Sequence, residues 1–339
     1  MRGETRRWAQ RSGYFGLALA FVALLLVSCG GDDTPAGIRT VEPGGTEQPA
    51  TPGGDATPTP AEPTPTPTPD PAGAFHGLEC DEREPLRQQL AADVEAALEG
   101  YNGDWGFALY DLRCDAMATA NADHVQYAAS SSKILSAIAV LRGVEAGDIA
   151  LEAVEPHLHE VFTWSSDADA NALETFLEPG ALLAVMEDAG VSEASHMEAG
   201  IEAWNYTFMT APDMARVWAA LVRGELLGEE MTAYLLEKTT LADIPEGLET
   251  FPGGDFDWPG FDYGQKAGYY VIDGVPLHWV GAGWIDEAGT PEQFIPVILL
   301  WSMNPEFLDP QRRDVWPLII EHIAEVTGAE MPPEVGPGP

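Results

Sequence analysis

The sequence predicts an α/β fold of the α+β type: an antiparallel sheet made from both ends of the chain, flanked by helices, with an all-helical insertion between its halves. Three observations carry this. Two strand-like segments come early, a long stretch of helical periodicity fills the middle, and three strand-like segments follow in close succession before a last amphipathic helix. In order, Leu86 to Leu98 has apolar residues at helical spacing, and Trp105–Leu112 (WGFALYDL) alternates as a strand does, followed by a second strand near Ala116–Asn121. Ser131 to about Glu237 reads as mostly helical. Gly264–Ile272, Leu277–Ile285 and Ile295–Met303 read as strands, with Asp273-Gly274 as a hairpin signal between the first two. The third opens IPVILLW, apolar enough for a central strand covered on both faces. Gln311–Thr327 closes the domain as a helix with Val315, Ile319, Ile320 and Ile323 on one side.

Composition narrows the function classes. The chain has 339 residues, 55 acidic against 16 basic, and a formal charge of −39. Nucleic-acid binding needs a basic surface to neutralise phosphates, and this chain has none to offer. Its 45% apolar content and ten Trp exclude disorder throughout. Of the basic residues 13 are Arg and only three are Lys: Lys133, Lys238 and Lys266. Where lysine is this scarce, each one raises the question of what arginine could not do there.

Residues 1–28 carry Arg2, Arg6, Arg7 and Arg11, then the apolar run YFGLALAFVALLLV, which stops at Ser28 ahead of Cys29-Gly30. That is the pattern of a secretory signal. Leu26-Val27-Ser28-Cys29 resembles the lipobox of bacterial lipoproteins, which implies cleavage before Cys29, lipidation of its thiol and anchorage to the outer face of the cytoplasmic membrane. An uncleaved membrane anchor and a soluble secretory signal are the alternatives. Residues 29–75 are rich in Pro and Thr and read as an extended tether, residues 76–332 as the domain, and 333–339 as an unstructured tail. Cys80 and Cys114 flank the first helix and strand and could close one disulfide, as export would permit, or remain two buried thiols.

At the junction of early strands and helical middle stands Tyr127-Ala128-Ala129-Ser130-Ser131-Ser132-Lys133, running into ILSAIAVL. A helix apolar nearly all round should be buried, and a lysine in its first turn is costly unless it serves a purpose. Ser130 and Lys133 lie three apart, on one face. A serine hydroxyl is a poor nucleophile until a base takes its proton, and a desolvated lysine can do so where arginine cannot. Read alone, Ser130 could equally be a helix cap.

The pattern resembles the penicillin-recognising serine hydrolases, that is class A β-lactamases and D-alanyl-D-alanine peptidases. Their S-x-N element has a counterpart in Thr163-Trp164-Ser165-Ser166-Asp167-Ala168-Asp169-Ala170-Asn171, and their K-T-G strand in Gln265-Lys266-Ala267-Gly268-Tyr269. Two of the three lysines thus fall at the family's lysine positions, and the resemblance extends from about residue 83 to 328. It implies Ser130 as acylated nucleophile, Lys133 as base and Ser165 as proton shuttle. It also implies Lys266 as the positive potential for a substrate carboxylate, and an oxyanion hole from the N–H groups of Ser130 and Tyr269. Asp167, Ala267, Gly268 and Tyr269 would line the substrate site.

Four departures qualify the expected activity. The stretch from Ser130 to Ser165 is short; Ala267 lacks a hydroxyl; Asp167 replaces an amide and, paired with Lys133, would hold that lysine protonated. The omega-loop pattern of a deacylating Glu is missing as well, with Glu198 and Glu202 read as solvated charges. A slow β-lactamase is therefore the leading expectation. A catalytically retired peptidoglycan-binding domain and a D,D-carboxypeptidase or esterase are the alternatives. The histidines show no metal-ligand spacing coupled to a second motif, and no phosphate-binding glycine loop occurs. No cofactor is expected. The expected partners are a small-molecule or peptidoglycan-derived substrate and, through lipid on Cys29, a membrane, with the chain acting as a monomer.

Overall fold

Helix α1 (Cys80–Ala97) starts six residues ahead of the apolar periodicity. Its first turns are acidic, and Glu82 reaches back to accept the Glu79 N–H at 3.0 Å, so capping and the helix dipole set the boundary. The computed structural model describes residues 77–332 apart from 102, 199–200, 242–257, 273–274, 291 and 302–307. The signal, Cys29, the linker, Asp273-Gly274 and the tail lie outside the described residues. No helix among the described residues is long and apolar enough to cross a membrane.

Strands β1 (Asp104–Asp111) and β2 (Ala116–Ala120) form a hairpin. After the short strand β3 (Gln126–Tyr127) and a 3₁₀ turn (Ala129–Ser132) come helices α2 (Lys133–Ala146), α3 (Leu151–Thr163), α4 (Asp167–Glu174) and α5 (Ala181–Asp188). Strand β4 (His196–Met197), a second 3₁₀ turn (Trp204–Tyr206), β5 (Thr207–Met209), α6 (Ala211–Val222) and α7 (Glu229–Thr239) complete the insertion. Then follow β6 (Phe261–Gln265), β7 (Gly268–Ile272), β8 (Val275–Glu287), β9 (Gln293–Trp301) and α8 (Leu308–Thr327).

The main sheet is antiparallel in the order β2-β1-β9-β8, with β6 and β7 both paired to β8. Both ends of the domain build it, as the sequence predicts. Central β9 shows why its sequence is apolar on both sides: Ile295, Val297 and Leu299 join the core shared with the helical insertion, while Phe294, Ile298 and Leu300 join the core under α1 and α8. The sheet therefore separates two hydrophobic layers.

The middle is less uniformly helical than its sequence suggests. Strands β3, β5 and β4 form a small antiparallel sheet, whose segments of two or three residues are too short for periodicity to show. The segment 264–272, read as one strand, is two. Gln265 faces Gly283 and Gly268 faces Val280, so three residues pass on each side and the register is unbroken. The interruption falls at Lys266-Ala267, two residues of the K-T-G-like motif, although Lys266 N–H still donates to Ala282 O at 3.0 Å. Cys80 and Cys114 are joined as a disulfide, with Cα atoms 5.4 Å apart, tying the start of α1 to the β1–β2 turn.

Candidate active site

Three consecutive serines precede α2, and their surroundings distinguish them. Ser131 Oγ donates to Ala128 O at 2.6 Å, and Ser132 Oγ lies 2.6 Å from Ala129 O and 2.7 Å from Trp204 O; both are buried. Ser130 is half-buried and makes no side-chain hydrogen bond among the described residues. Its predecessor Ala129 has φ 48°, as Ser165 has φ 57°. Alanine and serine seldom adopt this left-handed conformation, unlike the Asp115 and Asn121 that share it in turns, and strain of this kind gathers at functional sites. The start of β7 packs directly on the serine turn. A Cβ on Gly268 would lie 2.7 Å from Ser131 N, 2.8 Å from Ala128 O and 3.0 Å from Ser130 N, so only glycine fits. Because Lys266 N–H points at β8, strand alternation makes Gly268 the next residue to do so and turns the Tyr269 N–H away from β8, toward the free edge of the sheet.

Two buried amines stand behind this edge. Lys133, 0% exposed, donates from Nζ to Asp167 Oδ1 and to Ser165 O, each at 2.5 Å, and its ammonium lies 4.3 Å from the centre of the Trp204 ring. No hydrogen bond among the described residues joins it to Ser130. Burial pulls the Lys133 value below the usual lysine range, while Asp167, and more weakly Asp169, pull it back up. Lys266, 1% exposed, has its Nζ 2.8 Å from Ser165 Oγ and 2.9 Å from Ala267 O. Burial and then the nearby Lys133 charge hold it well below the usual range, against a smaller pull upward from Asp167. Of the two, Lys266 has only neutral hydrogen-bond partners, so the proton is better held on Lys133 beside its carboxylate. Asp167 itself remains 71% exposed at the first turn of α4. Tyr269, half-buried, has its phenol raised by burial and, second, by the Asp167 charge.

The structure thus brings Ser130, Lys133, Ser165, Asp167, Lys266, Ala267, Gly268 and Tyr269 to one place. Glu198 and Glu202 are elsewhere. Glu202 is not a solvated charge: its carboxylate accepts the N–H groups of Gly180 and Leu182 at 2.5 and 2.8 Å and so caps α5. Two residues the sequence reading did not single out matter more. Trp204 lies under Lys133, with its backbone N–H on Glu174 Oε1 at 2.8 Å and its indole N–H on Asn171 Oδ1 at 3.0 Å. Glu174 also accepts from Ser136 Oγ at 2.9 Å, and burial raises its value. Glu174 follows Asn171 by three positions, one helical turn, which is the sequence signal that could have placed both on the inner face of α4. Of the histidines, His157 Nδ1 pairs with Asp169 Oδ1 at 2.7 Å, and buried His278 Nδ1 lies 3.1 Å from Gln126 Nε2 behind the serine turn.

The model of the Beta-lactamase enzyme family matches residues 88–155, a segment that includes the Ser130/Lys133 turn. A β-lactamase from Sphaerobacter thermophilus is 20% identical, with a TM-score of 0.56 over 70% of this chain and 97% of its own. The chain has a β-lactamase-like fold. A β-lactamase from Xanthomonas campestris pv. campestris is similar at 15% identity, with a TM-score of 0.57 over 70% of this chain and 98% of that one. The structure of PBP-A is similar at 15% identity, with a TM-score of 0.56 over 70% and 95%. Among curated proteins none matches. Within this β-lactamase-like fold the departures seen in sequence become physical ones: the Asp167 carboxylate is ion-paired to Lys133, and an indole occupies the space beneath that amine.

Proposed function

We propose that the chain is an exported serine hydrolase that works through an acyl-enzyme on Ser130. The observation that carries this reading is that Ser130 alone of the three serines has an uncommitted, accessible hydroxyl, at the head of a buried helix and beside two desolvated amines. Ser130 Oγ attacks a carbonyl carbon and forms the new C–O bond. Its proton passes to Ser165 Oγ, whose own proton moves to the neutral Lys266 amine 2.8 Å away. The N–H groups of Ser130 and Tyr269 stabilise the oxyanion. When the bond to the leaving group breaks, the relay returns the proton to it. Water later hydrolyses the ester and restores Ser130. Lys133, expected from the motif to be the base, is better suited as a fixed cation, since its ammonium is held by Asp167, Ser165 O and the Trp204 ring.

Deacylation is the slow half. The Trp204 indole fills the space under Lys133, and Glu202 is committed to capping α5, so neither provides a base for the attacking water. A fluorescent penicillin or phosphonate probe tests the reading: the wild type is labelled to about one equivalent with little turnover, and Ser130→Ala is not labelled. Equal labelling of both proteins overturns it. The Lys133–Asp167 pair favours a second reading, a retired domain that binds cell-wall material through the old cleft. In that case the probe labels neither protein, and retention on peptidoglycan survives Ser130→Ala. Lipidation at Cys29 belongs to the same proposal and is checked by fatty-acid incorporation that Cys29→Ser abolishes.

A further inference from the structure

Beyond the reaction type, the charges around Ser130 bear on which acyl donors the cleft admits. Lys266 does not present its charge to the cleft. Its amine is directed at Ser165 Oγ and Ala267 O, both neutral, and the residue is 1% exposed. Lys133 is fully buried and its ammonium is already paired with Asp167. What reaches solvent from that pair is the carboxylate, 71% exposed at the first turn of α4, two residues from Ser165. Asp169 adds a second carboxylate on the same helix, itself bonded to His157 and Ser166. The sheet side offers no compensation. Among the described residues, β6 through β9 carry three acidic residues, Asp262, Asp286 and Glu287, and no Lys or Arg, with Lys266 lying between β6 and β7. Ala267 has no hydroxyl to donate to an anion. Aromatic residues adjoin the site in sequence, with Trp164, next to Ser165, 56% exposed and Tyr269, next to Gly268, half-exposed; such faces attract cations.

We propose that the Ser130 cleft selects acyl donors whose flank is neutral or cationic and disfavours those bearing a carboxylate beside the scissile carbonyl, with Asp167 as the specificity-determining residue. This rests on the acyl-enzyme reading above and deepens it. The site's two amines are turned inward, Lys133 as a paired cation and Lys266 as a neutral amine, while the Asp167 carboxylate is exposed, so an incoming carboxylate meets repulsion without a paired donor. A quaternary ammonium or neutral ester flank meets a carboxylate and two aromatic faces.

Three arylboronic acids of matched size test this by reversible binding, with no turnover required: phenylboronic acid, 3-carboxyphenylboronic acid and 3-(aminomethyl)phenylboronic acid. The full-length chain is labelled at lysine Cε, and its signals from Lys133 and Lys266 are followed at constant pH, with Lys238 of α7, paired to Glu155 of α3, as the internal reference. The expected order is ammonium tighter than neutral tighter than carboxylate, with about tenfold between the extremes. Asp167→Asn should reduce that spread to about twofold or reverse it, and Asp167→Glu should retain it. A carboxylate ligand that binds as tightly as the neutral one, or an absence of ordering that includes no detectable binding by any of the three, overturns the proposal. Failure of the acylation reading is seen separately, as Ser130→Ala leaving all three affinities unchanged while the ordering persists.

Discussion

At the residue scale the decisive interaction is the short contact between Lys133 Nζ and Asp167 Oδ1. An amide at position 167 would give Lys133 a neutral partner; a carboxylate stabilises its charged form and so keeps the proton there. Asp167→Asn should therefore lower the Lys133 value further, because burial then acts without its main opponent. With only three lysines in the chain, a carbon-13 titration of the lysine side chains resolves each one. An unchanged Lys133 midpoint in the variant would show that the pair does not control its protonation. For chemistry, loss of the nucleophile in Ser130→Ala should reduce acylation by about 10³-fold or more, read as the second-order rate of probe labelling. The motif was legible here, and Ser130 was picked out by spacing to Lys133. Which of three serines is free was not, because the answer lies in carbonyls of Ala128, Ala129 and Trp204 that sequence does not place.

At the element scale, the site depends on the β7 edge touching the serine turn. Gly268→Ala would drive a methyl group into backbone atoms of Ser130, Ser131 and Ala128, none of which can rotate away as a side chain could. The strand must retreat, at a cost of about 1–3 kcal/mol by analogy with overpacked cores. The expected outcome is a folded protein with lower denaturation midpoint and nearly absent probe labelling, since the Tyr269 N–H moves with the strand. Labelling at the wild-type rate would show that this contact does not set the oxyanion geometry. Periodicity located most elements but misplaced α1 by half a dozen residues and read β6 and β7 as one, because capping and a local break in pairing leave no apolar signature.

On the scale of the whole molecule, one buried ion network joins the domain's first and last helices to the sheet. Arg83 on α1 donates to Asp111 on β1 at 3.1 Å, to Glu292 before β9 at 2.7 Å and to Val326 O on α8 at 3.3 Å, and Arg113 donates to Glu292 at 2.7 Å. Arg83→Met should cost about 3 kcal/mol, because two buried carboxylates each lose one cation, leaving Glu292 with Arg113 and Asp111 with Arg87 at 3.5 Å. Reducing the Cys80–Cys114 disulfide, which spans 34 positions, should cost about 3–4 kcal/mol by loop-closure entropy. Denaturant midpoints check both. Two buried histidines, His278 and His322, are held at about 4 rather than 6.5 chiefly by burial. A depressed value means that folding favours the neutral ring. The stabilisation is complete above about pH 6.5 and lost as pH falls toward 4, by about 3 kcal/mol for each histidine. Replacing His322 by Gln should flatten the acid limb of stability against pH; an unaltered limb would remove His322 from this account.

The sequence by itself determined the antiparallel sheet from both ends of the domain, the helical character of most of the insertion, the central place of β9 and the motifs that meet at the candidate site, since apolar spacing and motif order are properties of the chain. Only the tertiary structure decided what those residues do to one another. Lys133 meets Asp167 across 34 positions and Lys266 meets Ser165 across 101, with Trp204 arriving from a third segment to lie under Lys133. Hydrogen bonding and desolvation depend on distance in space rather than along the chain, and they decide which amine holds the proton more firmly and which charge stays exposed.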